Sequence, residues 1–382
     1  MSETGYDAIV VGARCAGSST ARLLAKAGLR VLIVDRATFP SDTISTHCIT
    51  TGGCIQLQRW GLFDRVLATN VSHVKAFTLS MGGMELQDAI PLDDDMPGST
   101  SPRRTVLDKL LLDAAVEAGA EAREGITVKD VVRENGSVGG VVGRDESGNA
   151  FEARAALVIG ADGVNSLVAR CVEAEEYDRR ESNGAGFYAY FGAWPVEVVE
   201  LAFGPAGGVG VFPTNDDQVC IFAGRHVDDF TEYKRDVEGT HLAIVAAVSE
   251  RLGEWLRGAS RESRFHGWSA LPGFFRQPYG DGWALTGDAG YHKDPVTGHG
   301  ITDAFRDAEL LANAVVAGLA GAHPLADAMA GYQRRRDEMS RDVYEATQDI
   351  AAFDGDEQAA AEAFMRFGVA VQKEAVEIVA FG

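Results

Sequence analysis

The sequence predicts an α/β fold: a parallel sheet flanked by helices, interrupted by an inserted antiparallel sheet and closed by C-terminal helices. Three observations predict it. Apolar β-branched runs that end on glycine turns and lead into helical periodicity recur at residues 6–35, 156–170 and 282–315. Between about 181 and 276 the pattern changes to short aromatic and β-branched runs (GFYAYFGAW, ELAFG, GGVGVFP, QVCIFAGR) separated by glycines and Asn-Asp turns. From Pro324 onward the chain is rich in Ala and Arg and reads as helix.

Each element follows from local chemistry. YDAIVV (6–11) is a buried strand. Ala21, Leu24 and Ala25 recur at helical spacing, and Gly28 is placed to cap that helix. RVLIVD is a second strand ending on Asp35. Strand, glycine turn, helix, strand and acid in that order form a dinucleotide-binding unit. Gly12 allows the tight turn, Gly17 lets helix and strand approach, and the helix N-terminus directs free N–H groups at a pyrophosphate. Asp35 can accept from a ribose hydroxyl. Arg14 stands where such turns usually carry their second glycine; its guanidinium either turns back onto a phosphate or lies solvated over the adenosine side.

Downstream, PRRTVLDKLLLDAA (102–115) reads as a helix whose start carries Arg103 and Arg104, unfavourable there unless an anion or solvent compensates. Residues 126–145 alternate in strand fashion around a Gly-Ser turn. ALVIGADGVNSLVAR (156–170) is a buried strand ending at Asp162 and Gly163, and WALTGDA (283–289) is another ending at Asp288. A long helix opens at Ile301, its N-terminus free to face a charged or electron-rich part of a ligand.

With 382 residues, 46% hydrophobic and 24% charged, the chain has the balance of a soluble protein of two domains. A net charge of −21 offers no basic stripe for nucleic acid. No apolar run is long enough to span a membrane and no leader pattern opens the chain, so a cytoplasmic location is expected. Five cysteines without a CxxC pair fit free thiols and argue against a structural metal.

GARCAG with Asp35, GADGVNS and LTGDAGYHKDPVTGHGI together resemble, in order, the three motifs of the FAD-dependent aromatic hydroxylase superfamily, the class A flavoprotein monooxygenases, and its geranylgeranyl-reductase-like relatives. The resemblance runs from about residue 5 to residue 345. It implies a Rossmann-like, GR2-type FAD-binding domain made of residues 1–73, 100–180 and 277–345, an inserted substrate domain of residues 74–99 and 181–276, and a C-terminal helical segment of residues 346–382. By position it implies that Gly12, Arg14, Gly17, Asp35 and Arg36 hold the ADP half of FAD. Arg104, as in the family's RxxLD helix, contacts phosphate or ribityl groups. Asp162 and Gly163 lie between the pyrophosphate and the approach of a reduced nicotinamide, and Asp288 binds ribityl hydroxyls. Pro295, Gly298, Gly300 and Ile301 shape the loop and helix start beside the isoalloxazine ring. Tyr291, Asp294, His299 and Thr302 depart from the family pattern in the loop that faces the ring, and no halogenase WxWxIP motif is present.

The chemistry so implied is that of an FAD-dependent monooxygenase. It takes electrons from NAD(P)H, directly or through a separate flavin reductase, and O2 as co-substrate. It hydroxylates or epoxidises an aromatic, polycyclic or polyketide-like small molecule through a flavin C4a-hydroperoxide. The alternatives are an alkene reductase of the geranylgeranyl-reductase type and a non-catalytic flavoprotein. His47, His292 and His299 are the candidate acid–base residues, each balanced against a structural role. Phe187, Tyr188, Tyr190, Phe203, Phe212 and Phe222 are candidates for the pocket wall.

Overall fold

Tyr6–Val11, Val31–Val34, Ala150–Gly160 and Trp283–Leu285 lie side by side and parallel in the computed structural model of the protein. The structure describes residues 5–81, 84–87, 96–192, 198–321, 324–353 and 357–381; parts of the expected insert and of the C-terminal segment lie outside them. Strand order across this sheet is 283–285, 150–160, 6–11, 31–34 and then Glu121–Arg123, with Tyr279–Gly280 antiparallel at one edge. The register pairs Val11 with both Val34 and Gly160, and Gly160 with Leu285. The strand ends are therefore level, and the turns after residues 11, 34, 160 and 285 leave from one edge.

Helices Cys15–Lys26, Arg104–Glu117 and Gly300–Leu319 cover one face of the sheet. Ala21, Leu24, Leu311, Ala312 and Val315 pack there against Ala8, Val10 and Ile159. On the other face Ile9, Leu32 and Val158 meet the hairpin Thr127–Glu134/Ser137–Arg144 and the short helix Leu167–Cys171. Both faces are covered, which is why these strands read as unbroken apolar runs.

The insert is a seven-stranded sheet in the order 266–269, 184–191, 219–226, 207–213, 199–204, 77–81, 84–87. All pairs are antiparallel except Val199–Gly204 with Phe77–Met81. Strand alternation divides its side chains. Tyr188, Tyr190, Leu201, Phe212, Phe222 and Trp268 face the first domain and the helices Leu325–Ile350 and Glu357–Phe381. Phe187 points the opposite way and stacks on Phe230 and Tyr233, so the expectation that it lines a pocket with Tyr188 is corrected by the two-residue period.

Two further differences from the sequence reading stand out. Residues 237–258 are not sheet but two helices, Val237–Val248 and Glu250–Gly258, which cover the outer face of the insert. Asp236 and Ser249 cap them by accepting from Gly239 N–H and Leu252 N–H. No break marks the boundary expected at residue 346, because Leu325–Ile350 runs through it as one helix.

His241 lies on the first of these helices, fully buried between Phe191 and Phe265, with Nδ1 3.2 Å from the Tyr233 hydroxyl. Burial pushes its pKa down from 6.5 to about 3. Between those values the unfolded chain binds a proton that the native imidazole refuses, so stability falls as pH falls through that window. Replacing His241 with Phe should remove one proton from this linkage. The slope of unfolding free energy against pH, measured by urea titration in the middle of the window, should flatten by about 1.4 kcal/mol per pH unit. An unchanged slope would show that His241 is protonated in the native state.

Candidate active site

The turns at the shared sheet edge assemble the motif residues. Gly12 has φ +104°, and a Cβ there would sit 2.3 Å from the Ala161 carbonyl oxygen. At Gly17 a Cβ would fall 1.8 Å from the Gly12 carbonyl oxygen. Asp35 accepts from Ala13 N–H at 2.7 Å and from Ala37 N–H at 2.8 Å, which fixes its carboxylate beside the glycine turn. Arg36 follows it, exposed. Asp288 sits half-buried in the turn Gly287–Ala289 and makes no hydrogen bond among the described residues. An acid so placed is free to accept from a ligand hydroxyl.

Arg14 takes neither of the positions open to it from sequence. Its Nη1 lies 2.5 Å from Asp108 Oδ2, its Nη2 bonds Ser41 Oγ and the Asp42 carbonyl, and its guanidinium lies over the Phe39 ring. Asp108 is fully buried and is shared: Oδ1 also accepts from Arg104 Nε and Nη2 at 3.0 and 2.9 Å and from the Cys15 thiol at 3.3 Å. This carboxylate holds the Arg104 guanidinium strongly protonated despite its burial. Arg104 Nη1 remains without a hydrogen-bond partner among the described residues.

Asp162 has a local task. Its oxygens accept from Ser166 Oγ and from Leu167 and Val168 N–H, capping the helix Leu167–Cys171. Ligand contact from this turn would therefore come from its main chain rather than from the carboxylate.

The three candidate histidines occupy three different settings. His292 is buried, with Nδ1 2.7 Å from the Pro272 carbonyl, in a strand paired with Phe274; its contacts are structural. His47 is fully buried and has φ 66°, a left-handed conformation a non-glycine residue adopts at a cost. Its Nε2 is 2.5 Å from the Tyr190 hydroxyl, and Arg103 lies 4.4 Å above the Tyr190 ring. Burial, reinforced by Arg104, pushes the His47 pKa down to about 3, while burial raises that of Tyr190. Phenol and imidazole are both neutral, either can donate in this contact, and Nδ1 has no hydrogen-bond partner among the described residues. Burial thus weakens His47 as the acid–base residue expected from sequence.

His299 precedes the helix Gly300–Leu319, after Gly298 at φ 66°. Its Nδ1 is 3.2 Å from Thr50 Oγ1 and its Nε2 is 2.6 Å from Glu374 Oε2. Glu374 belongs to the last helix and also accepts from Arg306, which bonds Asp303 and Asp307; Lys293 bonds Asp303 in turn. The donor atoms of His299, Asp303 and Glu374 lie within 4.8 Å of one another, and the two protein cations already neutralise those carboxylates. Sequence reasoning missed Glu374, Tyr190 as a polar partner, and Asp108.

Between the inner face of the insert and the turn Pro295–Thr297 lies a narrow apolar recess, open in part to solvent. Leu201, Phe203, Val209, Phe212, Phe222 and Trp268 wall it from the sheet, and Thr46, Pro295, Val296 and Phe353 border it opposite. Phe203 and Phe353 also border a more open outer recess that carries Arg225, His226, Asp229 and Asp349. None of the three histidines lines the inner recess; Thr46, beside His47, does.

Residues 5–347 match the family model described as "FAD binding domain". The chain belongs to this family. It is an FAD-dependent oxidoreductase with the class A flavoprotein monooxygenase and halogenase fold. Among curated proteins it is 27% identical over 331 residues to the digeranylgeranylglycerophospholipid reductase of Methanocella arvoryzae, covering 81% of this chain and 77% of that one. It is 30% identical over 336 residues to the menaquinone reductase of Mycolicibacterium smegmatis, covering 82% and 77%. Among solved structures the fold is shared with the myxobacterial chondrochloren halogenase CndH (TM-score 0.83, 22% identity, 97% and 90% covered). It is shared also with Pseudomonas aeruginosa PqsL in complex with 2-aminobenzoylacetate (TM-score 0.81, 23% identity, 94% and 100% covered). No described helix is long and apolar enough to cross a membrane.

The donor set fits this flavoprotein's cofactor: a glycine turn with no room for a Cβ, an acid fixed beside it, an uncommitted Asp288 and an Arg104 with a spare N–H.

Proposed function

We propose that this flavoprotein is a monooxygenase that delivers oxygen to an apolar aromatic or polyketide-like molecule bound at the apolar recess between the insert and the 295–297 turn. The observation that carries the reading is the lining of this recess: aromatic and aliphatic on the sheet side, bordered by Pro295 and Val296 of the 295–300 loop. Such a wall orients a substrate by shape and keeps water from the reacting atoms. FAD, when bound, supplies the electron transfer and oxygen chemistry. Around it, Gly12, Gly17, Asp35, Arg104 and Asp288 bind and orient, and the opening N–H groups of Gly300–Leu319 face developing negative charge. NAD(P)H is the reductant in this reading, with O2 the second substrate.

None of the three candidate histidines lines the recess, and burial lowers the basicity of His47. Oxygen transfer that needs no substrate deprotonation, epoxidation above all, fits this wall better than phenolate hydroxylation.

A second reading, saturation of an alkene, is favoured by the two reductase relatives, each matched over more than four-fifths of this chain. The same apolar recess serves either. Turnover of the FAD-loaded protein with reduced nicotinamide under isotope-labelled dioxygen separates them. The monooxygenase reading expects one labelled oxygen atom in the product and no product under argon. Product formed anaerobically, heavier by two hydrogens, overturns it in favour of the reductase.

A further inference from the structure

His299 joins a hydroxyl of the 42–50 segment to a carboxylate from the last helix, within a buried cluster of charged groups. Lys293 and Arg306 supply two positive charges; Asp303, Asp307 and Glu374 supply three negative ones. All are buried. Arg336, also buried, adds a positive field at Asp307. Asp288 adds a further negative field at Lys293. Around the imidazole itself stand Glu374 from the last helix, Arg306 and Asp303 from the helix it precedes, Lys293 from the preceding turn, and Thr50; the Phe367 ring meets it edge-on.

We propose that His299, held by Glu374, takes up a proton when the flavin beside it is reduced, and so balances the charge that reduction creates. The inference rests on the FAD reading and on the ring lying by the 295–300 loop, and it holds for either reaction above. Reduction by a two-electron donor, a reduced nicotinamide or dithionite, places two electrons and one proton on the isoalloxazine. That leaves one negative charge, and the second proton goes to His299. Two electrons and two protons enter, and the site gains no net charge.

The geometry favours this assignment. Glu374 fixes Nε2 as a donor, so Nδ1 is the nitrogen that changes state: it accepts from Thr50 Oγ1 when neutral and donates to it when charged. Thr50 Oγ1 is 2.9 Å from Thr302 Oγ1, so both hydroxyls can reorient with the proton. Burial disfavours the charged imidazole and Glu374 opposes that, which leaves a nearby negative charge able to decide. Lys293 is the competing acceptor, since burial brings its pKa down to about 7.

The test is the dependence of the flavin's midpoint potential on pH in the FAD-loaded protein, with dithionite as electron source, from about pH 6 to 8. The wild type should show the slope of two protons per two electrons, and His299→Gln should show half that slope. Lys293→Arg, always charged, should keep the wild-type slope. Glu374→Gln should move the break between the two slopes to lower pH by at least one unit, and Glu374→Asp should restore it in part. A His299→Gln protein with the wild-type slope overturns the proposal, as does loss of the second proton in Lys293→Arg. Should His299→Gln not load FAD, an unmoved break in Glu374→Gln overturns it alone. Failure of the wild type to bind FAD would instead contradict the cofactor reading.

Discussion

Replacing Asp108 with Ala should lower unfolding free energy by about 3–5 kcal/mol, the cost of stranding a buried charge whose partner is removed. One carboxylate, fully buried, serves Arg14, Arg104 and the Cys15 thiol. Without it Arg104, nine-tenths buried, keeps its charge and loses the carboxylate bonded to it, with only the more distant field of Asp288 left. The protein should melt at markedly lower temperature and also retain FAD poorly, because Arg104 loses the contact that aims it. Arg14→Gly makes the contrast. Asp108 then still has Arg104, and FAD retention should change by no more than a few-fold, since the Arg14 guanidinium is spent on Asp108, Ser41 and Asp42. Thermal unfolding and dialysis against FAD-free buffer measure both effects. A loss under about 1 kcal/mol for Asp108→Ala would mean that the two arginines find other partners or water.

The second large effect is at Gly17. A Cβ would lie 1.8 Å from the Gly12 carbonyl oxygen and 3.2 Å from Ala161 Cβ, both parts of the motif turns and neither a flexible side-chain end. Gly17→Val therefore has to push the Gly12 turn off its position. Overpacking of this kind costs about 2–3 kcal/mol, and because the strain falls on the turn that meets the cofactor, it should appear as roughly 100-fold weaker FAD binding. Isothermal titration of the FAD-free protein would show it. Wild-type affinity in Gly17→Val would mean that helix Cys15–Lys26 tilts away freely, against its packing through Ala21 and Leu24.

What the sequence made legible is what neighbours in the chain decide. The glycine turns, the buried strands and Asp35 are local patterns, and the level strand ends follow from pairing those strands in parallel. The partners of the charged side chains are not local. Asp108 is 94 residues from Arg14, Tyr190 is 143 from His47, and Glu374 is 75 from His299. No periodicity connects them; only the folded chain does. The helix Val237–Val248 was hidden for a different reason. Its run of Val, Ile and Ala suits a strand as well as a helix, and Asp236 and Ser249, the capping residues, were the available signal.

The order of the central sheet sets a schedule for synthesis. Its strands come from residues 6–11, 31–34, 150–160 and 283–285, so a chain leaving the ribosome carries an incomplete sheet until nearly three-quarters of it has emerged. Glu374 follows some ninety residues later, and until it arrives Arg306 and His299 lack the carboxylate they share. The nascent chain must therefore carry exposed apolar strand edges and unpaired buried charges through most of its own translation. Exposed edges of this kind favour aggregation while synthesis is still under way.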